Sequence, residues 1–237
     1  MYDSVQATAT NLSALSEYYG MITQNLANAS TSGYKRQGAA FDQVLAQAVA
    51  GNAVAARGGL DLSQGHLVET ARPLDLALEG KGFFVIETAD GPLYTRSGTF
   101  RLSSTGQLVD YAGRTVSGTE GPIILPQSAD SSSIHVASDG RISVGPQQVG
   151  QVKVVEFEDS SGLTPVGGGC YDAPDSTQPD EAKATSVHQG YNEASNVSVV
   201  EELVELIKVT RAYEANLKTV QTHDERYRNL LKVASGL

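Results

Sequence analysis

The sequence predicts an α+β protein in which long N- and C-terminal α-helices pair as a coiled coil, with a central antiparallel all-β domain inserted between them. Three observations predict it. Apolar residues recur at steps of 3 and 4 near both ends of the 237-residue chain. The middle carries short β-branched and aromatic runs separated by turn pairs. Glycine, 24 residues in all, crowds that middle, and neither Gly nor Pro occurs from 197 to 235.

The N-terminal stripe runs through Val5, Thr8, Leu12, Leu15, Tyr19, Ile22 and Leu26, one face of a helix expected over about 4 to 28. Asp3 and Gln6 have the spacing of a capping box at its start. Asn28 through Gly33 supply the stop signals, and Gly33 permits the positive φ with which a helix end turns away. Lys35 and Arg36 come directly after. They are expected to bridge to acids on another molecule or, equally, to be solvated charges after a helix. Segment 36–59, rich in Ala, Gln and Gly, is expected to connect this helix to the β-rich domain.

Residues 60–185 read as that β-rich domain. Turn pairs stand at Asp90-Gly91, Thr105-Gly106, Ala112-Gly113, Asp139-Gly140 and Ser161-Gly162. Between them lie FFVIET, LYTRSGTF, IHVAS, RISV and VKVVEF, short runs suited to an antiparallel sandwich or barrel. In the last of these, Val152 and Val154 alternate with Val155 and Phe157, which predicts a strand covered on both faces. Residues 165–185, containing PVGGGCYDAPDSTQPD, read as loop or lightly structured chain.

The final segment, 186–237, repeats the helical design. Ser198 and Glu201 fit a capping box. The stripe Val199, Leu203, Leu206, Thr210, Tyr213, Leu217, Val220, Asp224, Tyr227 and Leu231 keeps steps of 4 and 3 over more than four heptads. A helix over about 198 to 233 would be on the order of 50 Å long at 1.5 Å per residue.

Composition excludes several classes of function. A net charge of −10 argues against nucleic acid, whose phosphates need a basic surface. One cysteine, Cys170, excludes an internal disulfide and any cysteine-rich metal site. His66, His135, His188 and His223 are dispersed, with no second ligand at i+3 or i+4, so neither metal nor cofactor is expected. Gly80-Lys81-Gly82 lacks the third glycine and the helix of a dinucleotide fingerprint. Ser32-x-x-Lys35 lacks the companion motifs of the penicillin-binding enzymes. No catalytic residue is expected, no apolar run is long enough to span a membrane, and no secretory signal is legible at the start.

Two amphipathic helices at opposite ends of a chain, the C-terminal one longer than a compact domain needs, leave apolar seams whose burial is worth roughly 25 cal/mol per Å². Such seams mark an assembly interface. The expected interface residues are Val5, Leu12, Leu15, Tyr19, Ile22 and Leu26 at one end. At the other they are Val199, Leu203, Leu206, Tyr213, Leu217, Val220, Tyr227 and Leu231. A soluble coiled-coil adaptor with no larger assembly remains the alternative.

Three ordered motif blocks resemble the axial proteins of the bacterial flagellum, in the rod and hook family. The first is Asn25-Leu26-Ala27-Asn28 with Thr31, Gly33, Tyr34 and Lys35. The second is Gly80-Lys81-Gly82-Phe83-Phe84, then Tyr94-Thr95-Arg96-Ser97-Gly98, then Gly106-Gln107-Leu108. The third is Gln189-Gly190-Tyr191, Ser195-Asn196-Val197 and Arg211-Ala212-Tyr213-Glu214-Ala215-Asn216. Within the family, Arg72-Pro73-Leu74-Asp75-Leu76-Ala77-Leu78 and the modest length look most like the proximal-rod branch, with the distal-rod branch a close second and the hook branch behind. The resemblance implies a structural subunit of a tubular drive shaft. Residues 1–35 and 186–237 would form its inner core layer and residues 60–185 its outer layer. It further implies other rod proteins and copies of this chain as partners, and passage unfolded through the flagellar type III export apparatus without a cleaved signal. Neither nucleic acid nor direct membrane insertion is implied, and the implied place is the periplasmic rod of the basal body.

Overall fold

The computed structural model describes residues 2–38, 59–126, 133–174 and 177–234. The expected connecting segment 36–59 lies almost wholly outside the described residues. So do the side chains of Val5, Thr8, Asp224, Tyr227 and Leu231, although the backbone there is helical. The described chain divides into two compact units, one drawn from Met1–Ala27, Gln37–Gly59 and Val197–Leu237, the other from Asn28–Arg36 and Leu60–Asn196.

The larger unit is built on an antiparallel ten-stranded sheet. Its main order is Thr164–Gly167, Cys170–Asp172, Gly91–Thr95, Phe83–Thr88, Thr115–Gly118, Leu108–Val109 and Arg101–Leu102. Phe83–Thr88 is central because its six residues can bury both faces. Phe84 and Ile86 enter one apolar core with Leu76, Leu78, Phe100 and Val116. Phe83 and Val85 enter the opposite core with Tyr94, Val155, Phe157 and Tyr171. This is the period of 2 expected of a strand. Val152 and Val154 face the first core while Val155 and Phe157 face the second. Edge-to-face rings fill both: Phe84 on Phe100 at 5.0 Å and Tyr94 on Phe157 at 4.8 Å between centroids. Smaller antiparallel pairings complete the unit. Ser186–Gln189 lies on Leu76–Glu79, Tyr191–Glu193 on Leu67–Glu69, and Ile134–Val136, Arg141–Val144 and Gln147–Gln151 form a three-stranded sheet.

Two expectations about this unit need correction. Residues 165–185 are not simply loop: Thr164–Gly167 and Cys170–Asp172 form a hairpin, and Asp180–Glu181 pairs with Val154–Glu156. Gly168 and Gly169 are its turn and Gly167 ends the first strand, with φ of 92°, 61° and 71° at Gly167, Gly168 and Gly169, values that only glycine adopts freely. The strands from Ser186 to Glu193 belong to the β unit rather than to the helix after them.

The smaller unit holds two helices among the described residues, α1 (Tyr2–Ala27) and α2 (Val199–Ala234). Here the expected fold class is overturned. The chain is not a pair of long coiled-coil helices flanking an inserted β domain. It has a short N-terminal helix of 26 residues, a C-terminal helix of 36, and otherwise mostly strands in a curled sheet. The helices meet through one apolar cluster of Ala14, Leu15, Tyr18, Ile22 and Val209, with Met21, Leu26, Leu206 and Ala212 packed at its edge. A cluster centred on a single valine of α2 is a local contact, not a heptad seam.

The physical reason is a change of phase. On α2 the positions turned inward are Glu202, Glu205, Leu206, Val209, Ala212 and Asn216, which share only Leu206 with the stripe read from the sequence. Val199, Leu203, Tyr213, Leu217 and Val220 of that stripe stand exposed. On α1, Tyr18 is buried and Tyr19 is out. Because α2 is apolar at 199, 200, 203, 204 and 207, hydrophobic spacing allows several faces. Polar pairing selects one: Asn25 Nδ2 donates to Glu202 Oε2 at 3.3 Å and the Tyr18 hydroxyl to Glu205 Oε2 at 3.3 Å.

Candidate assembly interface

The turn after α1 is where the first motif block acts. Thr31 N–H donates to the Asn28 carbonyl at 3.0 Å, and Tyr34 N–H to the Thr31 carbonyl at 3.3 Å. Gly33 holds φ 69°, and a Cβ there would stand 2.4 Å from the backbone nitrogen of Ser97. Glycine is therefore required twice, for its dihedral and for the close approach of another segment. Its N–H donates to the Glu193 carbonyl at 2.7 Å.

Lys35 is two residues on, and it does not reach outward. Its ammonium is sealed inside the chain, donating to Glu193 Oε1 and to the Ser63 carbonyl, both at 2.6 Å, and both ionic side chains are fully buried. That corrects the expectation that Lys35 bridges to another molecule or sits in solvent. Burial pushes the Lys35 ammonium down from the ordinary lysine pKa, against the opposing pull of the Glu193 carboxylate. Lys35 N–H also donates to the Tyr171 hydroxyl oxygen at 3.2 Å. Burial pushes that hydroxyl well above the ordinary tyrosine range.

Asn196, from the third block, closes the arrangement. Its Oδ1 accepts from Arg36 N–H at 2.7 Å. Its Nδ2 donates to the Asp61 carbonyl at 2.8 Å and to Ser63 Oγ at 3.1 Å. Three segments far apart in sequence, at 33–36, 61–65 and 193–196, are thus tied by one lysine, one glutamate and one asparagine. On the helix side of the chain, Asn25 grips Gln37 by both backbone groups, donating to its carbonyl at 2.6 Å and accepting from its N–H at 3.0 Å. Motif residues Asn25, Gly33, Lys35 and Asn196 therefore act inside the chain, fixing its course. Val197 and Tyr34 are buried.

The expected interface residues divide. Leu15 and Ile22 are buried in the contact between α1 and α2, and Leu12, Leu26 and Leu206 are half-buried. Tyr19, Val199, Leu203, Tyr213, Leu217 and Val220 present apolar surface outward, joined by Val200, Val204 and Ile207. Of the motif residues on α2, Arg211 is exposed, Ala212 is half-buried against α1, and Asn216 Nδ2 donates to the Ala212 carbonyl at 2.9 Å. Thr31 is exposed, and Asn28 and Ser195 are half-buried.

Sequence reasoning misses Glu193, Glu202, Tyr18 and Tyr171 as organising residues. A buried charge has no periodic signature, and Lys35 finds its partner 158 positions away. Among the described residues no group of three or more His, Cys, Asp or Glu could hold a metal ion, and no helix is long and apolar enough to cross a membrane.

Comparison with known proteins gives this geometry its setting. Residues 188–233 match the model of the flagellar basal body rod FlgEFG protein C-terminal region, and residues 77–144 match that of the flagellar hook protein FlgE/F/G D1 domain. The flagellar basal-body rod protein FlgG of Buchnera aphidicola subsp. Acyrthosiphon pisum is 34% identical, with 97% of this chain and 99% of the relative aligned. FlgG of Bacillus subtilis is 33% identical over 90% of this chain and 92% of its own length. FlgF of Caulobacter vibrioides is 30% identical over 90% and 89%. The two matched regions contain the whole of the second and third motif blocks, and the nearly full-length relatives reach the first. The chain belongs to the flagellar basal-body rod protein family, and it is a structural subunit that assembles with other rod subunits in the flagellar basal body.

Proposed function

We propose that this subunit builds the distal part of the rod, packing against copies of itself and neighbouring rod proteins through the outward apolar face of α2. The single observation that carries this is that face. Val199, Val200, Leu203, Val204 and Ile207 lie together over two turns of a helix whose inward side is already occupied by α1. At roughly 25 cal/mol per Å², leaving them in water is costly, and neighbouring subunits in a tube cover them. The tube encloses the export channel and transmits torque across the periplasm. The chain reaches it unfolded through the type III export apparatus.

The distal assignment revises the proximal-rod preference drawn from Arg72–Leu78, since the Buchnera and Bacillus relatives named FlgG align at higher identity than the Caulobacter FlgF. The proximal reading keeps one support, that same FlgF relative. Complementation separates the two. Expressed in a motile bacterium lacking its own FlgG, this chain restores swimming, and in one lacking FlgF it does not. Rescue of the FlgF-deficient strain alone would make the chain a proximal subunit.

A further inference from the structure

One hairpin of the β unit ends in a tyrosine that has no task inside the chain. Tyr111 is 84% exposed, more than any other large hydrophobic residue described, and its hydroxyl makes no hydrogen bond among the described residues. It stands on the turn Asp110–Gly113, between the strands Leu108–Val109 and Thr115–Gly118. That turn is clamped. Gly113 N–H donates to the Asp110 carbonyl at 3.1 Å, and Asp110 accepts from Arg114 N–H at 2.8 Å and from Arg114 Nε at 2.7 Å. Arg101 Nε donates to the Asp110 carbonyl at 3.3 Å. The Arg114 charge is balanced by the Asp110 carboxylate, but exposed Arg101 makes no ion pair among the described residues. The tip is thus a fixed aromatic ring beside one unbalanced positive charge. Tyrosine and arginine are the side chains that most often anchor interfaces, and a turn already held in shape loses little freedom on binding.

The same unit carries a groove of the opposite character. It has a volume of about 590 Å³ and lies along Gly91–Thr95 and the hairpin that ends at Asp172. Pro92, Leu93, Val166 and Pro174 give it apolar walls, Asp90 and Asp172 give it charge, and no Lys, Arg or His lines it among the described residues. Both carboxylates are exposed, and neither makes an ion pair among the described residues. The surrounding sequence is acidic too, with seven acids and no Lys, Arg or His from 154 to 182. Apolar walls with a few polar groups at fixed places are what an aromatic side chain needs. Tyr111 does not fill this groove in its own chain. Two strands, Phe83–Thr88 and Thr115–Gly118, lie between Gly91–Thr95 and Leu108–Val109 in the sheet, and the ring stands in solvent.

We propose that Tyr111 of one copy of this chain enters the groove between Pro92, Val166 and Pro174 of the next, with Arg101 set against Asp90 and Asp172. Charge complementarity selects a second copy as the occupant. At a net charge of −10 copies repel one another at a distance, and a basic tip on an acidic groove fixes the one register in which they attract. The tip and the groove are different surfaces, so the contact is head-to-tail, the kind that builds rings or helical filaments. It rests on the reading of the chain as a self-assembling subunit, but it uses residues of the β unit only and none of α2.

The test uses the full chain assembled into rods. Cys170 is buried, so introduced thiols report alone. A chain carrying both Tyr111→Cys and Val166→Cys, mildly oxidised in isolated basal bodies, gives a ladder of dimers, trimers and longer products on a non-reducing gel. Either substitution alone leaves the chain monomeric on that gel. Arg101→Glu lowers incorporation into rods by about tenfold, and adding Asp172→Arg brings it back to within about threefold of the original. All four positions are exposed, so each purified variant should melt within about 3 °C of the unsubstituted chain. Rods of normal length that give no ladder would overturn this contact while leaving the α2 face standing. A product joining Tyr111→Cys to a different rod protein would overturn the second copy as occupant, and an Arg101→Glu defect that Asp172→Arg cannot repair would overturn the charge pairing. Absence of any rods from the unsubstituted chain would remove this contact and the assembly reading together.

Discussion

Gly33 shows how much a single residue settles in this chain. Its φ of 69° and the 2.4 Å approach of Ser97 nitrogen to a would-be Cβ make Gly33→Ala costly by two mechanisms, left-handed backbone strain and overpacking. Together they should lower stability by about 3 kcal/mol, measured as a shift in the denaturation midpoint of the full chain. Tyr171 offers a test with a pH signature. Its hydroxyl pKa is raised by burial, so the folded state holds the proton more tightly than the unfolded chain does. That contribution is fully present below the ordinary tyrosine value near 10 and is lost as pH rises beyond it. Tyr171→Phe leaves Lys35 N–H without its acceptor and should cost about 1–3 kcal/mol at neutral pH. The gap between the two proteins should then narrow above about pH 10, as melting curves across the alkaline range will show. Lys35 marks the limit of legibility at this scale. Its motif can be read in the sequence, but its burial cannot, because Glu193 and Ser63 reach it only through the folded β unit.

At the scale of elements, the helices are legible in extent but not in facing. The sequence places α2 over about 198 to 233, and the helix runs from Val199 to Ala234. Its stop and start signals are local, so sequence suffices. Which face turns inward depends on Asn25 meeting Glu202 and Tyr18 meeting Glu205, pairings between residues 177 and 187 positions apart that no hydrophobic pattern encodes. The same kind of local signal locates the strands around Phe83–Thr88, whose double alternation is visible in the letters FFVI. The turn at Gly168-Gly169 escapes such reading because three successive glycines suggest loop more readily than hairpin. The phase of α2 yields a paired prediction. Val209→Asp places a carboxylate among Leu15, Tyr18 and Ile22 at a position 1% exposed. It should unpair the helices at a cost of about 3 kcal/mol or more, seen as lost ellipticity at 222 nm in the monomer. Leu203→Asp, at a position 46% exposed, should leave monomer ellipticity unchanged and abolish incorporation into rods, scored by electron microscopy of basal bodies. A Leu203→Asp rod of normal length would remove that face from the interface.

For the whole molecule, the two units rest on different amounts of burial. The β unit encloses two apolar cores and a network of buried hydrogen bonds, with long-range pairing from Leu67 to Glu193. Among the described residues the helical unit has one cluster of five buried apolar residues, and much of α2 beyond it is exposed. Isolated helices gain little from propensity alone and take most of their stability from packing. Local opening should therefore be far easier in the helices than in the sheet. Hydrogen exchange on the free chain should show slow exchange in Phe83–Thr88 and Val154–Glu156. Exchange in α2 beyond Ala212 should be faster by several orders of magnitude. Within assembled rods the exposed apolar face acquires neighbours, and protection along α2 should rise toward that of the sheet while the sheet itself changes little. Equal protection of α2 in the free and assembled states would mean that its outward face is not what holds the rod together.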